Sequence, residues 1–244
     1  METKAGVNTV ASEGRVPGQD VPAEHTYLDF LFFKLNPEYR RLSVGERSKG
    51  VEEFLAVFKK WCETTDIRTY LTLGLRSEID FLLWVITKDF GNVQEFVSAV
   101  YKTGLGKYLD LVYSYPAVTK PSQYAKSHKQ NFELGPSKYK YLFVYPFIKS
   151  NEWYALPIEE RMRMMKQHNI VGGEFPSVKI NTTYSFGLND NDFMLAFECD
   201  EPKIFSDLVQ RLRETEARKY TVKDTPMIIC ANKTIDEVIG ALAV

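Results

Sequence analysis

The chain has 244 residues, 44% of them hydrophobic, which is ample for one large core or two fused modules. Its 31 Lys plus Arg nearly cancel 32 Asp plus Glu, so neither a basic excess for nucleic acid nor a polybasic run for anionic lipid is present. The longest apolar runs (LDFLFF, FLLWVI, YLFVYPFI) fall short of the roughly 20 residues of a membrane helix, and the first residues lack a charged-then-apolar leader pattern, so a cytoplasmic protein without a membrane partner is expected.

Residues 1–24 hold Gly, Pro, Glu, Ala and Val but no aromatic side chain, and are expected to form a flexible segment. Residues 27–35 read as a strand and 37–65 as mainly helix. There Val51, Phe54, Leu55, Phe58, Trp61 and Cys62 give the three-four spacing of one apolar face, while Gly45 and Gly50 weaken the first half. Strands at 67–73 and 79–87, a helix at 93–103 and a strand at 110–118 complete a β-α-β-β-α-β unit over residues 25–119. Residues 120–137 are polar, contain Pro121, Gly135 and Pro136, and read as a linker.

Residues 138–244 repeat the order: strand 140–149, helix 157–169, strands 178–186 and 193–198, helix 202–216 and strand 227–231. The halves share letters as well. Gly74-Leu75 followed by Asp80-Phe81 answers Gly187-Leu188 followed by Asp192-Phe193, and Lys107-Tyr108 answers Lys219-Tyr220. One unit read twice predicts an α+β fold: two ferredoxin-like sheets closing on each other as a pseudo-symmetric barrel, with aromatic residues between them. Cys62, Cys199 and Cys230 are odd in number and far apart, and are expected to be passive thiols.

The chemistry concentrates in YPFIKSNEWYALPIEERMRMMKQHNIVGG, from Tyr145 to Gly173. Side chains alternate along a strand, so Tyr145, Phe147 and Lys149 share a face. Such a pair fits a water-facing edge. It also fits a pocket wall in which a phenol relays a proton and an ammonium binds an anion. Leu156-Pro157 opens a helix on which Met164, Met165 and His168 lie on roughly one side, with Gly172-Gly173 as the stop. His168 fits either a cation capping the helix end or an axial iron ligand through a neutral imidazole. His25 and His128 read as solvated. No second histidine or carboxylate cluster at ligand spacing supports a zinc or non-haem iron site, and no phosphate loop, nucleophile elbow or HExxH occurs.

On YPFIK, EWYALPIEERMRMMKQH, YSFGLNDNDFMLAFECD and RETEARKY, the chain resembles the chlorite dismutase-like superfamily over about residues 26–232. It looks most like the branch of coproheme decarboxylases and haem-dependent peroxidases. The resemblance implies a dimeric α+β barrel, usually in a ring of five subunits, and haem b or coproheme as the iron porphyrin. His168 would be its proximal ligand, Tyr145 the radical-bearing residue, Lys149 the holder of a propionate, and Trp153 a neighbour of the porphyrin. The implied reaction is oxidative decarboxylation of two coproheme propionates, with hydrogen peroxide as co-substrate.

Three departures from that pattern stand out. Ile180 occupies the distal position that carries arginine in chlorite dismutases and glutamine in many decarboxylases. Isoleucine cannot hydrogen-bond an oxyanion, which weighs against chlorite dismutation. Asn181 would replace it only through a one-residue slip, which turns a strand residue to the other face. The segment just before YPFIK holds Glu133 and Lys138 but no arginine. Ala217 falls where a glutamate would bond the proximal histidine, with Glu214 and Glu216 as substitutes. The expectation is a haem-dependent oxidoreductase, against a non-catalytic haem carrier or sensor, or a structural oligomer without porphyrin.

Overall fold

The computed structural model describes residues 25–124 and 129–242. The expected flexible segment 1–24 and His128 lie outside these residues. The first half contains β1 (Tyr27–Leu35), a 3-10 turn (Pro37–Arg41), α1 (Val44–Cys62), β2 (Asp66–Leu71), β3 (Phe81–Thr87), α2 (Phe90–Tyr101) and β4 (Leu109–Val118). The second contains β5 (Tyr141–Lys149), α3 (Asn151–Ala155), α4 (Ile158–Gly173), β6 (Lys179–Tyr184), β7 (Phe193–Cys199), α5 (Pro202–Arg213), β8 (Thr221–Lys223), β9 (Ile228–Asn232) and α6 (Ile235–Ala241).

Several elements differ from the sequence reading. The α1 helix starts at Val44 on a Ser43–Glu46 capping box, and neither glycine breaks it. Gly50 is required for close approach: a Cβ there would meet Leu105 N at 2.8 Å and the Tyr39 hydroxyl at 2.9 Å. The Gly172-Gly173 pair does not stop α4, which runs through Gly173 and is capped at Glu174. The short α3 helix, β8 and α6 have no counterpart in the sequence reading. Each is too short for its periodicity to stand out.

Strands β4-β1-β3-β2 are hydrogen-bonded in that order, as are β6-β7-β5-β9. Each set is the antiparallel four-stranded sheet of a ferredoxin-like unit. The sets join at two seams: β2 with β9 at Tyr70↔Asn232 and Leu71↔Ala231, and β4 with β6 at Val118↔Tyr184 alone. Eight strands thus close into a barrel with helices outside. The inner faces meet in one core containing Phe30, Phe32, Tyr70, Trp84, Leu142, Val144 and Met194. The segment read as a linker contributes to it, because Phe132, on a 3-10 turn (Asn131–Leu134), is 2% exposed and packs edge-on against Trp84. Phe132→Ala should cost about 3 kcal/mol, the order expected for emptying a buried aromatic site, read from the denaturant midpoint.

The two halves match closely at the turns. Asp80 accepts from Leu35 N at 2.9 Å, and Asp192 accepts from Lys149 N at 2.7 Å. Gly74 and Gly187 have φ of 78° and 72°, the left-handed conformation that only glycine adopts freely. The registers agree too: Phe33↔Phe81 and Asp29↔Val85 in one half correspond to Phe147↔Phe193 and Phe143↔Phe197 in the other. No helix among the described residues is long and apolar enough to cross a membrane.

Candidate functional site

The outward face of the second sheet differs in chemistry from its counterpart. Where β1 presents Leu31 and Leu35, β5 presents Tyr145 and Lys149. Three rows cross that face: Ile180–Phe197–Phe143, Thr182–Leu195–Tyr145 and Tyr184–Phe193–Phe147. Tyr145 is 5% exposed and its ring stacks on Phe197 at 5.8 Å, nearly parallel. Burial, reinforced by nearby Asp224, pushes its phenol pKa well up, so the hydroxyl keeps its proton around neutrality. No group among the described residues hydrogen-bonds that hydroxyl.

Lys149 ends β5. Its ammonium donates to Ala217 O at 2.6 Å and lies 3.4 Å from Thr221 Oγ1. The same nitrogen sits over Trp153 at 4.5 Å and Phe147 at 5.3 Å. Burial and then the Arg218 charge lower its pKa to about 8. Trp153, on α3, is buried with Met164 and Ala217.

The α4 helix lays Arg161, Met164, Met165, His168 and Val171 along its covered side, the three-four stripe expected for a helix lying on a sheet. Burial and then Lys149 lower the His168 pKa to about 4, so its imidazole is neutral at any pH near physiological. Nothing among the described residues hydrogen-bonds that imidazole. The two carboxylates considered as orienting groups are engaged elsewhere: Glu216 with Arg163 at 2.9 Å, and Glu214 with Arg211. Ala217 is buried in the turn beside Trp153 and offers only its carbonyl, to Lys149.

Ile180 faces outward at the start of β6 and is 43% exposed. Phe186 and Leu188, beyond the other end of that strand where Phe186 meets Tyr184 and Phe193, are also open. Asn181 points into the barrel, donating to Glu198 Oε1 at 2.8 Å and accepting from Phe132 N at 2.9 Å. It is committed there and does not reach the outer face. His25 is exposed, and Cys62, Cys199 and Cys230 are free thiols.

One group was missed by sequence reasoning. Arg218, on the 3-10 turn Glu216–Tyr220, pairs with Asp224 at 3.3 Å, and Arg213 reaches the same carboxylate at 3.6 Å. The Arg218 Nη1 atom is buried without a partner, and its charge is felt by both Tyr145 and Lys149. No arginine stands just ahead of β5; this one comes from far later in the chain, inside the RETEARKY string that marks the repeat.

Two ferredoxin-like sheets closed into one barrel, with Tyr145 and Lys149 on the outer face of the second where the first has Leu31 and Leu35, define a dimeric α+β barrel whose halves have diverged. The chain belongs to the chlorite dismutase family, whose model matches residues 47–233. It is 34% identical to a coproheme decarboxylase of Mycolicibacterium smegmatis over 220 residues, covering 88% of this chain and 94% of that one. It is 26% identical to a chlorite dismutase of Ideonella dechloratans, covering 98% of this chain and 86% of the other. The fold matches a mutant chlorite dismutase from Candidatus Nitrospira defluvii with a TM-score of 0.83 at 24% identity, covering 90% and 96% of the two chains. It also matches a haem-binding protein from Thermus thermophilus with a TM-score of 0.80 at 20% identity, covering 91% and 96%.

Proposed function

We propose that this chain is a haem-dependent oxidoreductase of the coproheme decarboxylase type, acting on an iron porphyrin that carries propionates, with hydrogen peroxide as co-substrate. The observation that carries the reading is the contrast between the halves: Leu31 and Leu35 in one, Tyr145 and Lys149 in the other, with His168 close enough to sense the Lys149 charge. Likeness to the Mycolicibacterium smegmatis protein supports it.

The residues fit the group. An uncharged imidazole offers a lone pair to iron without a competing proton. The Arg218 Nη1 atom is an unused buried donor, and the Lys149 ammonium uses only part of its three-donor capacity, so both suit carboxylates. Ile180 leaves open apolar surface on the outer face in the Phe197–Phe143 row, suited to a flat macrocycle. When bound, the iron porphyrin supplies one-electron oxidation driven by peroxide. Around it, His168 would ligate iron and Lys149 and Arg218 would hold propionates, with the Trp153 ring face holding the Lys149 ammonium in place. Tyr145, held protonated in an apolar stack, would give the electron and proton of its O–H to the peroxide-oxidised porphyrin and take a hydrogen atom back from the propionate chain. That chain would then lose a second electron to the same oxidant and its carboxylate as carbon dioxide, one peroxide per propionate ending as water.

Lys149 sets a pH signature. Its amine is charged below about pH 8 and loses its charge above it. Coproheme should therefore bind most tightly below that pH and loosen as pH rises through it, while a porphyrin tetraester should show no such trend. Lys149→Met should weaken coproheme about tenfold, the order of one lost charge-assisted contact, and flatten the pH profile in an absorbance titration.

Ile180 favours a second reading, a haem carrier or sensor, because it supplies no hydrogen bond to a bound oxidant. Titration of the coproheme-loaded chain with peroxide, followed by mass spectrometry, separates the two. Loss of carboxyl groups from the porphyrin supports the oxidoreductase; bleaching with the carboxyl groups intact supports the carrier.

A further inference from the structure

The first half has a groove of its own. It lies between α2 and β4 and encloses about 780 Å³, walled by Leu31, Val93, Val97, Leu111 and the ring of Tyr101. Asp29 lines it, 5% exposed. The Ser114 hydroxyl oxygen lies 3.0 and 3.2 Å from its two carboxylate oxygens, main-chain groups of Tyr115 and Phe30 also hydrogen-bond it, and no Lys or Arg among the described residues pairs with it. Lys102, on the groove wall, makes no ion pair with it either. Burial pushes the Asp29 pKa up to about 7, so the group is charged above that pH.

The repeat shows what this arrangement replaces. Asp29 corresponds by strand register to Phe143, and Val93, the fourth residue of α2, corresponds to Phe205, the fourth residue of α5. In the second half those two rings stack at 3.9 Å and fill the space between helix and sheet. In the first half an acid and a smaller side chain stand there, and the space is open. Burying a carboxylate without a cation costs several kcal/mol, and an apolar residue at position 29 would close the gap as Phe143 does.

We infer that this groove is a binding site for a small organic cation, an ammonium on a short apolar stem. The single carboxylate, with the one Ser114 hydroxyl lying against both oxygens, suits a compact point charge better than the two-pronged fork of a guanidinium. The apolar walls match an alkyl stem lying along α2. The site is on the opposite half from Tyr145 and His168 and does not depend on the reading of that site.

Isothermal titration of the full chain with hexylammonium, and with hexanol as the uncharged isostere, tests it at a pH above the Asp29 value. Saturable binding of hexylammonium is expected, with hexanol at least about tenfold weaker, as for loss of one member of a buried charge pair. Asp29→Asn should lose the preference for the cation. Val93→Phe, which restores the bulk found at Phe205, should block the groove while leaving Asp29 in place. The proposal is overturned if hexylammonium fails to saturate, if hexanol binds equally well, or if both variants bind it like the wild type. It is also overturned if Val93→Phe dissociates a wild-type oligomer, since the groove would then be covered by a second copy. Should Asp29→Asn fail to fold, Val93→Phe still decides the matter.

Discussion

Tyr145→Phe should bind coproheme like the wild type and yet release no carbon dioxide when peroxide is added. The substitution removes one oxygen atom from a ring packed among apolar neighbours, with Phe197 stacked against it at 5.8 Å. Since no described side chain hydrogen-bonds the hydroxyl, no partner is orphaned and the fold is retained. The porphyrin contacts proposed for His168, Lys149 and Arg218 are untouched. The chemical step loses its hydrogen-atom relay, and the rate should fall by about 10²–10⁴-fold, the range for removing a positioned proton-transfer group. Product analysis by mass spectrometry, with coproheme affinity measured in parallel, checks both halves of the statement. Normal turnover in this variant would remove Tyr145 from the chemistry.

His168→Ala acts on binding. The neutral imidazole on the covered side of α4 is the iron ligand of the proposal, and its removal would leave the proposed propionate contacts intact. Coproheme affinity should drop by more than the roughly 10–100-fold that outer-shell changes cost a metal site, with the visible spectrum losing its histidine-ligated form. Iron-free coproporphyrin, which never used that bond, should bind almost unchanged. Free imidazole should restore the spectrum by entering the vacated space. The metal-free pKa of about 4 adds a pH limit: because iron competes with the proton for the lone pair, wild-type iron ligation should persist at least down to the region of pH 4. Equal weakening of the iron and iron-free ligands would show that His168 serves packing alone.

The fold is legible because its signals are local and repeated. The sequence bounds β1 to the residue, since YLDFLFFKL lies between a polar start and Asn36-Pro37. The barrel follows from recognising one unit twice, and the turn glycines that mark the repeat do adopt matching positive φ angles. Helix ends are less legible. Gly172-Gly173 carries the letters of a stop, but nothing in the sequence says that α4 continues along α5 until Glu174. Periodicity puts Tyr145 with Lys149 on one strand face and His168 with Met164 on one helix side, but the family resemblance is what singles them out, because periodicity alone does not say whether those faces are covered. Arg218 cannot be picked out, because it reaches the site through the return of a distant 3-10 turn. The commitments of Glu214 and Glu216 to Arg211 and Arg163 likewise exist only in three dimensions.

The two seams of the barrel carry a consequence for how this chain holds together. One seam is a single residue pair and the other is two, so main-chain bonding contributes little to keeping the sheets joined. What joins them is the shared oil-like interior, where Phe30, Phe32 and Trp84 from one side meet Leu142, Val144 and Met194 from the other. Cut the polypeptide between the sheets, and each fragment would show a greasy inner wall to water and clasp the other or aggregate. The duplicated module is thus an obligate twin: its copies were free to specialise in chemistry because neither could ever leave.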